Sequence, residues 1–195
     1  MRVFLGITGA SGALYARRLV EVLAAGGCEL GLCVSAAGAE VLATELHGDA
    51  LLSADEVVAR LLEGAPGRVA LFDPADWHAP YASGSAKVDA YVVCPCSAGT
   101  LGALAAGVSQ NLIHRAAAVA LKEERKLVLC TRETPLSTIQ IENMLTLRRA
   151  GATILPLSPG FYHGESSVAA LVDFVVARVL DQIGFSHELS ARWGQ

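Results

Sequence analysis

Five runs of this chain are apolar at nearly every position: Val3–Thr8, Leu30–Val34, Ala90–Cys94, Lys126–Thr131 and Thr153–Leu157. Continuous rather than alternating apolar character marks strands covered on both faces. Arg68–Phe72 is a shorter, weaker candidate for a sixth. Between the runs lie stretches of helical period: Gly12–Ala25, Ala37–Leu46, Ala54–Glu63, Ser97–Gly107, Asn111–Lys122, Ser137–Ala150 and Val168–Ile183. The last has the clearest stripe, with Val168, Leu171, Val172, Val175, Val176, Val179, Leu180 and Ile183 on one side. Ser53 stands where it would cap the helix starting at Ala54. Strands alternating with helices of this length predict parallel βαβ units with right-handed crossovers. The expected fold is α/β, an open, three-layer, doubly wound parallel sheet forming one domain over residues 1–195. No linker, repeat or low-complexity tract divides it, and a 53% apolar composition supplies the core.

Charge and cysteine usage exclude several classes. The net charge is −4, without the basic surplus of a nucleic-acid binder or a run of like charges that would form an electrostatic tail. The apolar start, Val3–Thr8, breaks at a glycine-rich turn and reads as a strand rather than a signal peptide. No apolar stretch approaches the roughly 18 residues of a membrane span. Five cysteines without a secretory signal predict a reducing compartment, the cytoplasm. Cys94-Pro95-Cys96 has no second pair to complete a zinc site, so the cysteines read as small buried hydrophobes, and no metal is expected.

Ligands of doubly wound sheets bind beyond the carboxyl ends of the strands. The first such loop, Gly6-Ile7-Thr8-Gly9-Ala10-Ser11-Gly12, has Gly-x-x-Gly-x-x-Gly spacing, which is neither the dinucleotide fingerprint nor a P-loop. It turns sharply into a helix whose free N–H groups suit an anion. The second loop opens on Ser35, where a dinucleotide enzyme would place an acid for ribose; Ser35 also fits a plain helix cap. The third, Cys94-Pro95-Cys96-Ser97-Ala98-Gly99-Thr100, is another helix start with hydroxyls. Two such starts at one crevice suit a flavin mononucleotide. Arg132-Glu133 at the end of the next strand sets a cation and a carboxylate where buried charge needs a reason. The fifth loop, Pro156-Leu157-Ser158-Pro159-Gly160-Phe161-Tyr162-His163, offers in Tyr162 a phenol that suits a phosphate oxygen. Trp77, in Asp76–Ser85, offers an aromatic face to a developing cation.

Eight segments in order resemble the flavin prenyltransferases of the UbiX and phenylacrylic acid decarboxylase-like family. They are Thr-Gly-Ala-Ser-Gly (8–12), Ala-Ser-Gly-Ser (82–85), Cys-Pro-Cys-Ser-x-Gly-Thr (94–100), Asn-Leu-Ile-x-Arg-Ala (111–116), Ala-Leu-Lys-Glu (120–123), Arg-Glu-Thr-Pro (132–135), Glu-Asn-Met (142–144) and Pro-Gly-Phe-Tyr-His (159–163). The likeness runs to the Ala-Arg-Trp-Gly near the end. It implies a flavodoxin-like or Rossmann-like FMN domain assembled as a homo-oligomer, typically a dodecamer. It also implies transfer of a dimethylallyl group from dimethylallyl phosphate to N5 and C6 of reduced FMN, without a metal. The prenylated FMN would serve a UbiD-type decarboxylase, in pathways such as ubiquinone biosynthesis. By the same resemblance Gly9, Ala10, Ser11, Ser35, Ser97, Ala98, Gly99, Thr100 and Arg132 would hold FMN. Arg115, Lys122, Glu133, Tyr162 and Arg178 would surround the prenyl phosphate, some of them from a neighbouring subunit. Glu45 and Trp77 would complete the pocket near the reacting carbon, so that Glu133, Glu45, Ser11 and Trp77 form the catalytic group. Two departures are Ala36, where the family commonly has lysine, and Tyr81, where proline is frequent and the pocket shape could change.

An allylic phosphate ionises when its leaving group is stabilised, and without a metal fixed cations must do so. Arg115, Lys122 and Arg178 are those cations, arginine gripping oxygens bidentately. Glu133 is the protein group for acid–base work beside the phosphate. The rival reading is an FMN-dependent cysteine decarboxylase, which shares the first glycine turn. Such enzymes carry Pro-Ala-Ser-Ala-Asn-Thr where this chain has Pro-Cys-Ser-Ala-Gly-Thr, and an early catalytic histidine that this chain lacks.

Overall fold

The computed structural model describes residues 1–63, 65, 67–161, 164 and 167–190. Six strands form a single parallel sheet: β1 (Arg2–Ile7), β2 (Glu29–Val34), β3 (Val69–Phe72), β4 (Ala90–Cys96), β5 (Lys126–Thr131) and β6 (Thr153–Ile154), in the order β3-β2-β1-β4-β5-β6. That is the 3-2-1-4-5-6 order of the doubly wound dinucleotide folds. Removing the short edge strand β3 leaves the flavodoxin order, so both expected descriptions apply. β4 is buried at every position, and β1 and β2 at all but their first residue, which accounts for runs that do not alternate. β3 exposes Leu71 because it has a neighbour on one side only. β6 is a regular ladder for two residues, shorter than its apolar run predicts. Pro156 has no N–H, yet Leu155 and Leu157 continue bonding to Leu129 and Thr131 on either side of it.

The helices are α1 (Ala13–Ala25), α2 (Ala36–His47), α3 (Ala54–Glu63), α4 (Ala98–Ala105), α5 (Leu112–Lys122), α6 (Thr138–Arg149) and α7 (Val168–Ile183). One core joins the sheet to α1, α2, α3 and α7. The other joins its opposite face to α4, α5, one residue of α6, and the loop that carries Tyr81. Caps match the sequence signals. Ser53 caps α3 and exchanges bonds with Glu56, and Ser137 and Gln140 form a capping box on α6. The stripe of α7 is buried from Val172 onward as its spacing predicts, while Leu171 is half-buried and Val168 is exposed at the first turn. Arg18 on α1 donates to Asp173 on α7 at 2.6 Å and braces the pair.

Tyr81 does not shape a pocket. It is buried, its ring 4.9 Å from that of Phe4 and edge-on to Phe72 at 5.2 Å, and it fills the space over Gly31, where a Cβ would overlap the phenol. All five cysteines are free and buried. Burial pushes the Cys33 and Cys96 thiols up to about 12 and raises that of Cys130, as expected of inert core residues. Among the described residues no helix is long and apolar enough to cross a membrane.

Candidate active site

The sheet changes winding direction between β1 and β4, and the loops that leave these two strands meet there. Thr8 fastens them. Its N–H and hydroxyl both donate to the Pro95 carbonyl, at 3.1 and 2.8 Å, and its hydroxyl oxygen accepts from Ser97 N–H at 2.8 Å. Thr8 is buried, so this staple is shielded from water. Gly9 must be glycine here, because a Cβ would lie 2.5 Å from that of Ala37. Gly9 and Ser11 are exposed while Ala10 is buried, so the turn presents its polar groups to the crevice.

Ser97 caps α4. Its hydroxyl accepts from Thr100 N–H at 3.2 Å and donates to the Thr100 hydroxyl at 3.1 Å, which leaves the Thr100 proton available to a ligand. Ala98 and Gly99 form the first turn of α4, with Gly99 exposed. Ser35 is indeed the cap of α2, accepting from Gly38 N–H at 3.0 Å, and its own hydroxyl proton stays uncommitted. Ala36, beside it, lines a cavity of about 350 Å3 with Ala39, Asp55, Val58 and Phe72.

Glu45 reaches from α2 to the first turn of α1, where one carboxylate oxygen accepts from Gly12 N–H at 3.0 Å and Ala13 N–H at 2.8 Å. Burial pushes this carboxyl up. The Ser11 hydroxyl, the two N–H groups and the Arg132 charge outweigh it and hold the group below its ordinary value. The helix end that usually receives phosphate in these folds is therefore already filled by an anion of the chain itself. Arg132, half-buried at the end of β5, keeps its Nε buried with no hydrogen-bond partner among the described residues. Such an atom requires an acceptor. Glu133, exposed, accepts from Thr134 N–H at 3.2 Å and from the Gln140 amide at 3.4 Å. Gln140 was legible only as the far half of a capping box; its second contact, orienting Glu133, depends on how α6 folds back.

These groups gather at one rim: Gly9, Ala10, Ser11, Ser35, Glu45, Ser97, Ala98, Gly99, Thr100, Arg132 and Glu133. The remaining expected residues lie elsewhere in the protomer. Arg115 belongs to α5 and donates through Nε to Ala82 O at 2.9 Å. Lys122, at the far end of α5, is exposed and ion-paired with Glu123. Trp77 is 48% exposed in the loop on this same side. Arg178 belongs to α7, across the sheet from α5, and pairs with Asp181 at 2.7 Å. Tyr162 and His163 lie outside the described residues. One protomer thus presents three separate surfaces rather than a single closed pocket. Among the described residues no three His, Cys, Asp or Glu side chains are grouped to hold a metal.

Comparison with known proteins places this arrangement. The Flavoprotein family model matches residues 1–180. A flavin prenyltransferase UbiX of Pseudomonas aeruginosa is 48% identical, over 100% of this chain and 94% of the relative. The crystal structure of AnUbiX (PadA1) in complex with FMN and dimethylallyl pyrophosphate has a TM-score of 0.89 at 34% identity, covering 100% of this chain and 97% of that one. A dodecameric FMN-dependent UbiX-like decarboxylase from Escherichia coli O157:H7 has a TM-score of 0.87 at 41% identity, with both chains fully covered. The peptidyl-cysteine decarboxylase EpiD, at 15% identity and a TM-score of 0.61 over 93% of this chain and 97% of that one, shares the fold alone. The chain belongs to the flavoprotein family and, within it, to the flavin prenyltransferases of the UbiX type.

Proposed function

We propose that this enzyme transfers the dimethylallyl group of dimethylallyl phosphate to N5 and C6 of reduced FMN, without a metal, and that prenylated FMN leaves for a UbiD-type decarboxylase in the cytoplasm. The observation that carries the FMN reading is the partnerless, buried Nε of Arg132 at the rim where the β1 and β4 loops are stapled together. A flavin phosphate or ring oxygen supplies the acceptor this nitrogen lacks. Gly9, Ala10 and Ser11 offer backbone and hydroxyl groups, and Ser35, Ala98, Gly99 and Thr100 supply the remaining donors. Bound and reduced, FMN supplies a nucleophile able to attack an allylic carbon.

The protein's part is electrostatic and positional. Arg115, Lys122 and Arg178 stabilise the charge that builds on the phosphate as its bond to the allylic carbon breaks. Tyr162 donates to a phosphate oxygen. Glu133, aligned by Gln140, moves a proton at the departing phosphate. Trp77 faces the allylic cation. Glu45 holds the Ser11 hydroxyl as a donor, so the Ser11 oxygen faces the pocket with its lone pairs.

The cationic groups stand on opposite sides of the sheet, so neighbouring copies must complete each site. A homo-oligomer, a dodecamer like the Escherichia coli relative, is therefore part of the catalytic unit rather than an accessory to it. The test is anaerobic incubation of protein, reduced FMN and either dimethylallyl phosphate or the pyrophosphate, followed by mass spectrometry of the flavin. Gain of one prenyl unit is expected, undiminished by excess EDTA. An unmodified flavin, or activity lost to EDTA and restored by magnesium, overturns the reading.

A further inference from the structure

The chain that leaves α7 turns back along the helix it has just left. Gly184 takes the left-handed conformation, with φ 79°. Phe185 N–H donates to Leu180 O at 3.0 Å and Gly184 N–H to Asp181 O at 3.1 Å, the paired bonds of a Schellman motif. Phe185 then packs over Gly26, where a Cβ would lie 2.3 Å from its ring, and Leu189 packs against the core shared by α1 and α7. These two apolar anchors fix the segment between them, and the side chain of His187 in that segment is only 3% exposed. Its two ring nitrogens have different partners. Leu189 N–H donates to Nδ1 at 3.3 Å, so the neutral ring carries its proton on Nε2. Nε2 lies 3.2 Å from Asp181 Oδ1 and donates to it. The other carboxylate oxygen, Oδ2, accepts from a terminal nitrogen of Arg178 at 2.7 Å. One carboxylate therefore links a buried imidazole to an exposed guanidinium.

Helix stability does not call for this carboxylate. Asp181 lies in the last turn of α7, where the helix dipole favours a cation and disfavours an anion. The carbonyl end takes its cation from outside the helix: Lys126 Nζ donates to Ile183 O at 2.8 Å. An arginine ahead of an acid is also the less favourable order for a pair on a helix face. The two partners of Asp181 differ in their freedom to move. His187 is anchored and Asp181 is 22% exposed, whereas Arg178 is 48% exposed and can swing away.

We propose that Asp181 is a resident anion that holds Arg178 until a phosphate takes its place, and that His187 sets how easily the exchange occurs. Both are positioning residues that act through Arg178, and the inference rests on the reading that Arg178 meets the donor's phosphate. When Arg178 turns to the phosphate, Asp181 keeps the His187 N–H, so the exchange does not strand a half-buried carboxylate. Without His187, Oδ1 can join Oδ2 in a bidentate grip on the guanidinium, and the phosphate meets a stronger competitor.

The test uses intact oligomers carrying Asp181→Asn, His187→Leu, His187→Gln or Asp181→Asn with His187→Leu, and Asp181→Asn again in an Arg178→Gln background. Each is titrated calorimetrically with inorganic phosphate, and KM for dimethylallyl phosphate is measured with prenylated FMN as product. Asp181→Asn should tighten phosphate and lower KM by about threefold, the scale of one exposed ion pair, with kcat within about twofold of wild type. His187→Leu should weaken phosphate and raise KM by about the same factor, while His187→Gln, which keeps an N–H donor, should stay near wild type. The double variant should match Asp181→Asn, because His187 then has no carboxylate to restrain. Damage to the fold would instead weaken binding in every variant and leave the two losses additive. Phosphate affinity unchanged or lowered by Asp181→Asn overturns the proposal even where the His187 variants do not fold. So does a gain that persists in the Arg178→Gln background, which would be a general effect of removing a charge. An Arg178→Gln enzyme that binds phosphate as tightly as wild type removes the basis of the proposal. A wild type that makes no prenylated flavin sinks the prenyl-transfer reading, and the phosphate titrations still decide whether Asp181 competes for Arg178.

Discussion

Replacing Glu45 by alanine removes the carboxylate to which Gly12 and Ala13 donate at the start of α1. The loss is comparable to that of a helix cap, about 1 kcal/mol, with about 0.3–1 kcal/mol more for the charge at the helix end. Glu45 is exposed, so water refills part of the site and the sum stays near 1–2 kcal/mol rather than the larger cost of a buried charge pair. In a chain of this size each kcal/mol lowers Tm by roughly 2–4 °C, which predicts a fall of about 4 °C. Glu45→Gln keeps an acceptor and should lose about half as much. The pH dependence separates this from general damage. The folded-state carboxyl lies below its ordinary value of 4.5, so its contribution is complete above that value and is lost as pH falls through the folded one. Calorimetry at fixed protein concentration should show the gap between wild type and Glu45→Gln closing as pH drops from neutral into that range. Parallel curves at every pH, or an alanine variant as stable as wild type, would refute the electrostatic account of this cap.

Three further outcomes follow from the same geometry. Glu133→Gln should keep FMN bound and lose most turnover, and normal output of prenylated flavin would remove Glu133 from acid–base work. Arg132→Ala and Arg178→Ala, each inactive alone, should regain part of the wild-type rate when co-assembled in one oligomer, because some sites then draw each intact residue from a different copy; no recovery in mixed oligomers counts against shared sites. Gly31→Ala forces a Cβ into Tyr81 and should cost about 2 kcal/mol, or about 6 °C in Tm, as overpacked cores do. In a Tyr81→Leu background most of that penalty should vanish, and strictly additive losses would deny the contact.

The strand runs were legible because burial on both faces removes polar residues from β1, β4 and β5, and the starts of α2, α3 and α4 because Ser35, Ser53 and Ser97 each cap the element that follows; the caps Ser137 and Ser167 were not singled out in the sequence. That the β1 and β4 loops meet at one rim was legible for the same reason: they are short loops whose backbone conformation is local. The packing of Tyr81 was not legible because its neighbour, Gly31, lies fifty residues earlier, and only the sheet brings the missing side chain of one under the ring of the other. Arg125 carried no motif signal; its contacts are with carbonyls some forty residues upstream.

The prenyl-phosphate cations show a different kind of limit. Arg115 and Lys122 sit on α5 and Arg178 on α7, and the sheet stands between these helices. Because these helices cover opposite faces of the sheet, the proposed use of all three at one phosphate calls for more than one copy of the chain. That arrangement also explains why each cation is engaged at home: Arg115 with a carbonyl, Lys122 with Glu123, Arg178 with Asp181. The two exposed ion pairs, of Lys122 and Arg178, contribute little stability, about 0–1 kcal/mol, so on the proposed reaction they give way to the donor's phosphate. On the proposed reaction, assembly and substrate binding then act on the same charges, and the oligomer is the smallest unit that offers the donor's phosphate all three.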